Sequence, residues 1–203
     1  AGGAAAQWSS STSNTTEDLT EAVFITATIA AAAGDNGIVM RTPDTGTSWN
    51  ATASAAGPTP EDLKSIIFLS PTVGVGIGKN GAMVRSTDSG ASWSAVSIPG
   101  SKELTAIHSS GTTVIAVGKK NGAFSTIIFS TDSGASWFSG TVAADPGKDL
   151  EGIVVLSATN AVAIGKKGGG VSTVLRTTDG GLNWSVQPIT GDTGQDLKGL
   201  AVR

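Results

Sequence analysis

STDSGASW occupies residues 86–93 and returns letter for letter at residues 130–137, while TPDTGTSW (42–49) and TTDGGLNW (177–184) are looser copies. The aspartates of the four copies, Asp44, Asp88, Asp132 and Asp179, stand at steps of 44, 44 and 47 residues. A fixed period of this size marks a repeat architecture, in which each unit buries its apolar surface only by stacking on its neighbours.

The octapeptide itself has the composition of a hairpin lock. An aspartate at a turn accepts hydrogen bonds from backbone N–H groups two or more residues on. The glycines two places later, Gly46, Gly90, Gly134 and Gly181, supply a backbone with φ > 0. The tryptophans Trp49, Trp93, Trp137 and Trp184 bring a large apolar body to bury between strands. A requirement repeated in every unit belongs to the fold, because a catalytic carboxylate is needed once or twice in a molecule.

Aligning the units on this lock exposes a common template. Each opens with an acid and a leucine: Asp18-Leu19, Asp62-Leu63, Glu103-Leu104 and Asp149-Leu150. An apolar, β-branched run follows and reads as a strand covered on both faces. A second strand of small residues ends in Gly34, Gly78, Gly118 or Gly165, and its composition implies close approach of neighbouring sheets. A turn leads to a third strand, the octapeptide follows, and its tryptophan begins a fourth. Four short antiparallel strands per period make a propeller blade.

The pattern [S/T]-x-D-x-G-x-[S/N]-W resembles the Asp-box, or BNR repeat, of sialidases, some glycoside hydrolases, sortilin-type receptors and photosystem II assembly factors. The resemblance spans four units and nearly the whole chain. It implies a β-propeller. It implies no one activity, since those families do different things on one fold.

The expectation is therefore an all-β chain forming a single β-propeller domain over residues 1–203. Complete blades are expected at 17–56, 61–99, 102–143 and 148–189. A Ser/Thr/Ala-rich segment, 1–16, precedes them, with a strand at residues 7–11 around Gln7 and Trp8. A closing strand at 195–203, carrying Leu197, Leu200 and Val202, matches the first strand of a fifth unit. Three accounts fit these single strands: the chain ends meet in a partial fifth blade, the chain is a piece of a larger propeller, or an end pairs with a neighbouring molecule. Unpaired strand edges template such pairing, and a head-to-tail contact that does not close builds a filament.

Composition narrows the chemistry. Charged residues are 14% and the formal net charge is −3, against the basic excess of a nucleic-acid binder. The absence of cysteine excludes thiol chemistry and disulfides. No apolar run reaches the length of a membrane span. The start, AGGAAAQWSSS, reads as a mature end left after removal of a signal peptide or as a trimmed end, which points to an extracellular, cell-surface or periplasmic place. Sequons at Asn14, Asn50 and Asn183 then count as glycosylation candidates.

No catalytic residues emerge. The sialidase chemistry that the resemblance suggests uses a tyrosine nucleophile, and this chain has no tyrosine. Arg41, Arg85 and Arg176 recur at one repeat position, where the third unit has Phe129, which suits a structural or edge role over a converging triad. A two-carboxylate glycosidase would draw on Glu21, Asp35, Asp145, Glu151 and Asp192, the acids left after the repeated ones are removed; none carries a supporting motif. His108, the only histidine, stands where other units have an aliphatic residue. One histidine and no cysteine give no transition-metal site, and no cofactor motif occurs. Lys79, Lys119, Lys120, Lys166 and Lys167 follow the second strand and form a candidate basic face, with ion pairing to Asp62, Glu103 and Asp149 as its counter-reading.

These readings favour a non-catalytic, exported structural or surface-assembly subunit that self-associates through its terminal strands into an oligomer or filament. A glycan- or protein-binding propeller module is the alternative, and a glycoside hydrolase fragment a second one.

Overall fold

The computed structural model describes residues 11–52 and 59–201. They form four sheets in chain order, each beginning at an acid–leucine pair. Sheet one holds β1 (Leu19–Phe24), β2 (Ala30–Gly34), β3 (Val39–Thr42) and β4 (Asn50–Ala51); sheet two holds β5 (Leu63–Phe68), β6 (Gly74–Gly78), β7 (Met83–Ser86) and β8 (Ser94–Ala95). Sheet three holds β9 (Leu104–Ser110), β10 (Thr113–Asn121), β11 (Phe124–Ser130) and β12 (Phe138–Ser139). Within each, consecutive strands pair antiparallel.

Sheet four is larger. Its β14 (Leu150–Val155), β15 (Ala161–Gly168), β16 (Val171–Thr177) and β17 (Asn183–Val186) repeat the pattern, and β13 (Thr141–Ala143) adds a parallel strand outside β17. Residues 141–143, read from the sequence as the end of the third unit, thus lie in the sheet of the fourth. The outermost strand of the first three sheets is only two residues long. The chain is already directed there by the octapeptide turn, so little pairing is needed to hold it.

The core lies between sheets. Ala31, Ala33 and Val39 of sheet one pack with Leu63, Ile66 and Trp93 of sheet two. Val75, Ile77 and Met83 pack in the same way with Leu104, Ile107 and Trp137, and Ile115, Val117 and Ile127 with Leu150, Ile153 and Trp184. Each seam joins the second and third strands of one sheet to the opening leucine and the tryptophan of the next. The first strands form a row, β1 on β5, β5 on β9 and β9 on β14. The stacking demanded by the repeat period is visible here as three copies of one interface.

The glycine ending each second strand has a more local cause than close approach of two sheets. A Cβ on Gly34, Gly78, Gly118 or Gly165 would stand 1.9–2.2 Å from the carbonyl oxygen of Asp18, Asp62, Glu103 or Asp149 in the same sheet. That carbonyl accepts the N–H of the residue after the glycine, as in Lys79 N to Asp62 O at 2.9 Å.

The expected closing strand differs from what forms. Residues 195–201 adopt no strand. They are instead tied to sheet four by hydrogen bonds described below. Gln7, Trp8 and Val202 lie outside the described residues.

Candidate functional site at the open flanks of the array

Four octapeptide turns share one geometry. In the second, Ser86 Oγ donates to Asp88 Oδ1 (2.8 Å) and accepts from Gly90 N (2.9 Å). Ser92 donates from N to Asp88 Oδ1 (2.9 Å) and from Oγ to Oδ2 (2.5 Å). The same bonds close around Asp44 through Thr42, Gly46 and Ser48, and around Asp179 through Thr177, Gly181 and Asn183. At Asp132 the partners are Ser130, the N–H groups of Ala135 and Ser136, and Gly134 bound to Ser130.

These donors favour the ionised carboxylate. The Ser48 hydroxyl, then the Ser48 N–H, hold Asp44 down at about 2, and the Ser136 N–H, opposed by desolvation, leads the same shift at Asp132. Desolvation pulls Asp88 upward but is outweighed by bonds from Ser92 and Ser86. An acid so saturated with donors is a structural anchor, poorly suited to accept a substrate proton.

Four of the five acids left over in the sequence are also engaged through their carboxylates. Asp145 and Asp192, which looked unrepeated, recur in register 47 residues apart and make one clamp: Asp145 accepts from Ser125 N and Oγ at 2.8 and 2.7 Å, Asp192 from Ser172 N and Oγ at 2.5 and 2.8 Å. The segments DPGKDL and DTGQDL, which carry them, were the available signal. Glu21 accepts from Ile66 N in the next sheet (2.8 Å), and Glu151 pairs with Lys119 (3.2 Å). Asp35 opens a tight 3-10 turn, Asp35–Gly37. His108 is half-buried, and its Nδ1 accepts from Val155 N (3.1 Å), a seam bond the aliphatic comparison did not suggest. Burial holds its pKa below the ordinary value.

The lysine face is largely internally paired. Lys79 binds Asp62, Lys166 binds Asp149 at 2.9 Å, and Lys119 binds Glu151. Lys120 and Lys167 are exposed; their backbone N–H groups donate to Asp149 and Asp196, both at 3.0 Å. Among the sequon asparagines, Asn14 donates its amide to Trp49 O, Asn183 donates to Asp179, and Asn50 is exposed on β4. Among the described residues no cluster of three or more acidic, histidine or cysteine side chains could hold a metal ion, and no helix is long and apolar enough to cross a membrane.

What distinguishes one part of the surface from the rest is an interrupted seam. Leu63, Leu104 and Leu150 are fully buried, but Leu19, their counterpart in sheet one, is 40% exposed. Trp93, Trp137 and Trp184 are buried and donate from Nε1 to the box glycine carbonyl; Trp49 is only half-buried. A cavity of about 350 Å³ opens there, lined by Ser11, Ser13, Leu19, Glu21, Ala32 and Trp49. Sheet one therefore presents the receiving half of a seam.

Sheet four presents the complementary half. Val162, Ile164 and Val174 are the counterparts of Ile115, Val117 and Ile127, and Val162 and Val174 are partly exposed. Arg41 and Arg85 donate from Nε to Ser89 O (2.9 Å) and Ser133 O (3.0 Å), the residue after the box aspartate in the next sheet. Arg176 stands at the same position, exposed. Part of this flank is covered by the segment after sheet four. Gln195 N donates to Ser172 Oγ (3.0 Å), Lys167 N to Asp196 Oδ1 (3.0 Å) and Leu197 N to Gly165 O (3.1 Å).

No protein-family model matches the chain, and no curated protein matches it either. Among solved structures it is similar to YCF48 bound to D1 peptide, with TM-score 0.60, 21% identity and coverage of 87% of this chain and 55% of that one. It is similar to an ancestral GH74 enzyme (0.64, 16%, 92% and 26%) and to the WD40 β-propeller domain of Doa1 (0.63, 14%, 92% and 59%). This chain thus spans between about a quarter and three fifths of the length of each. Identities this low speak to architecture alone. Together with four consecutive antiparallel sheets joined by one repeated seam, they establish the chain as a β-propeller fold.

Proposed function

We propose that this chain is a non-catalytic, exported structural propeller unit that self-associates through the open flanks of its first and fourth blades. The observation that carries this reading is Leu19: one exposed leucine at a position whose three counterparts are fully buried. Covering the 40% of Leu19 that is exposed contributes about 1 kcal/mol, its share of the value for a whole leucine, and the three internal seams show what covers it. The four octapeptide turns, with their shared hydrogen bonds, support the Asp-box reading of the family.

The engagement of Asp145 and Asp192 in clamps, Glu21 in a seam hydrogen bond and Glu151 in an ion pair supports a non-catalytic role. Chains joined through complementary rather than identical surfaces make a heterologous contact, which closes into a ring or runs on as a filament. Two four-bladed arcs would reach eight blades, within the usual range for propellers. Sedimentation of the full chain tests the reading: association that deepens with concentration and is lost in Leu19→Lys supports it, and a monomer at every concentration refutes it.

A second reading, binding of an extended protein segment in the Leu19–Trp49 cavity, is favoured by the apolar Leu19, Ala22, Ala32 and Trp49 that line it and by the peptide in the complex of the similar YCF48. Titrating the chain with peptide libraries, with Leu19→Lys as the control, separates it from self-association.

A further inference from the structure

The segment after sheet four repeats the segment before it. DTGQDL (192–197) matches DPGKDL (145–150), and the two make the same bonds one blade apart. Asp145 clamps Ser125 and Asp192 clamps Ser172. Gly147 N and Gly194 N both turn back to their aspartate at 2.8 Å. Asp149 accepts from Lys120 N and Asp196 from Lys167 N, each at 3.0 Å. The flank of a blade is thus a seat for an acid–leucine edge, and blade four holds residues 192–197 in it.

The hold differs in kind from that inside the array. Leu150 is fully buried in its seam, whereas Leu197 is partly exposed and Leu200 is 40% exposed. Residues 195–201 pair in no strand. The Asp196 bond is exposed and the Asp192 clamp half-buried, so the hold on blade four is chiefly polar and lacks the apolar burial that fixes Leu150. Asp18-Leu19, the only other acid–leucine edge exposed among the described residues, is the homologous pair of blade one.

We propose that the seat on blade four is contested: residues 192–197 of the same chain and the Asp18-Leu19 edge of a second copy compete for it, so that this segment restrains assembly. The inference rests on the self-association reading and names its partner. In the joined state Asp18 takes the Lys167 N–H, as Asp149 takes that of Lys120. Leu19 covers Val162, Ile164 and Val174. Arg176 reaches Thr45 O, as Arg41 reaches Ser89 O and Arg85 reaches Ser133 O.

The test is sedimentation velocity on the full chain carrying Asp192→Ala and Asp196→Ala. Losing the competing bonds moves association to about tenfold lower concentration. A synthetic peptide of residues 192–201, in excess, disperses the assemblies of both this variant and the unmodified chain; the unmodified chain keeps the test valid should the variant fold poorly. Association that ignores the peptide, and the substitutions where the variant folds, overturns the inference while leaving self-association standing. A chain that is monomeric with and without the substitutions overturns both.

Discussion

The first blade and the three that follow are built from the same phrases and end in different states. Leu104 at the opening of blade three lies in a seam made by Val75, Ile77 and Met83, and Trp137 fills the same seam. Leu19 and Trp49 have the same surroundings in sequence but no preceding blade among the described residues, and both remain partly exposed. The lesson concerns which interactions are local. The core of the octapeptide lock, the Ser or Thr hydroxyl and the N–H four residues on bound to the aspartate, forms in all four blades, because every donor and acceptor lies within a few residues. Burial of the opening leucine depends on the second and third strands of the preceding sheet, 21–35 residues earlier in the chain.

The sharpest test of that division is to place a charge at the two leucines. Leu104→Lys buries an ammonium in an apolar seam without a partner and is expected to remove the cooperative unfolding transition. Leu19→Lys leaves the transition in place and acts on association alone. Circular dichroism with urea titration reads both. Next in size, Trp137→Ala is expected to cost about 3–5 kcal/mol, while Trp49→Ala costs roughly 1–2 kcal/mol because less apolar area is withdrawn from water. Equal losses would break the comparison.

Gly34→Ala and Gly118→Ala should cost about 1–3 kcal/mol each and, in contrast, equally. Their Cβ atoms meet a carbonyl of their own sheet, at 2.1 and 2.0 Å, so the missing neighbour is irrelevant. A much smaller effect at Gly34 would show that blade one is loosely formed throughout.

The smallest effects are in pH. The box acids have native pKa values held below 3.8, to about 2 for Asp44 and Asp132. Their contribution is complete above the unfolded value and is lost as pH falls from 3.8 through the native value. Asp132→Asn should flatten this acid limb in urea midpoints measured between pH 5 and 2. For His108 the lowered pKa favours the neutral ring that accepts from Val155 N. That contribution is full above about 6.5 and is lost as pH falls through the lowered native value. His108→Gln should remove this shallow step.

The periodicity was legible because the octapeptide is a local device and its letters are its chemistry. The recurrence of Arg41 and Arg85 suggested a structural or edge role; they bridge internal seams, and their acceptors are backbone carbonyls, which no side-chain pattern reveals. Asp145 and Asp192 were missed as a pair because they lie in the links between units, and only the last two units carry them. The exchange of residues 141–143 into sheet four follows from parallel pairing across a unit boundary, which alternation within a unit cannot show. The exposure of Leu19 was hidden for the opposite reason: its sequence is identical in kind to that of the buried leucines.

Because the chain contains no cysteine, the joining of blade four to blade one can be read directly by mixing two variants, Leu19→Cys and Val162→Cys, under mild oxidation. A disulfide-linked pair containing one of each, in preference to either homodimer, is the predicted result. Homodimers alone, or no cross-link at concentrations where the chain associates, would contradict the account.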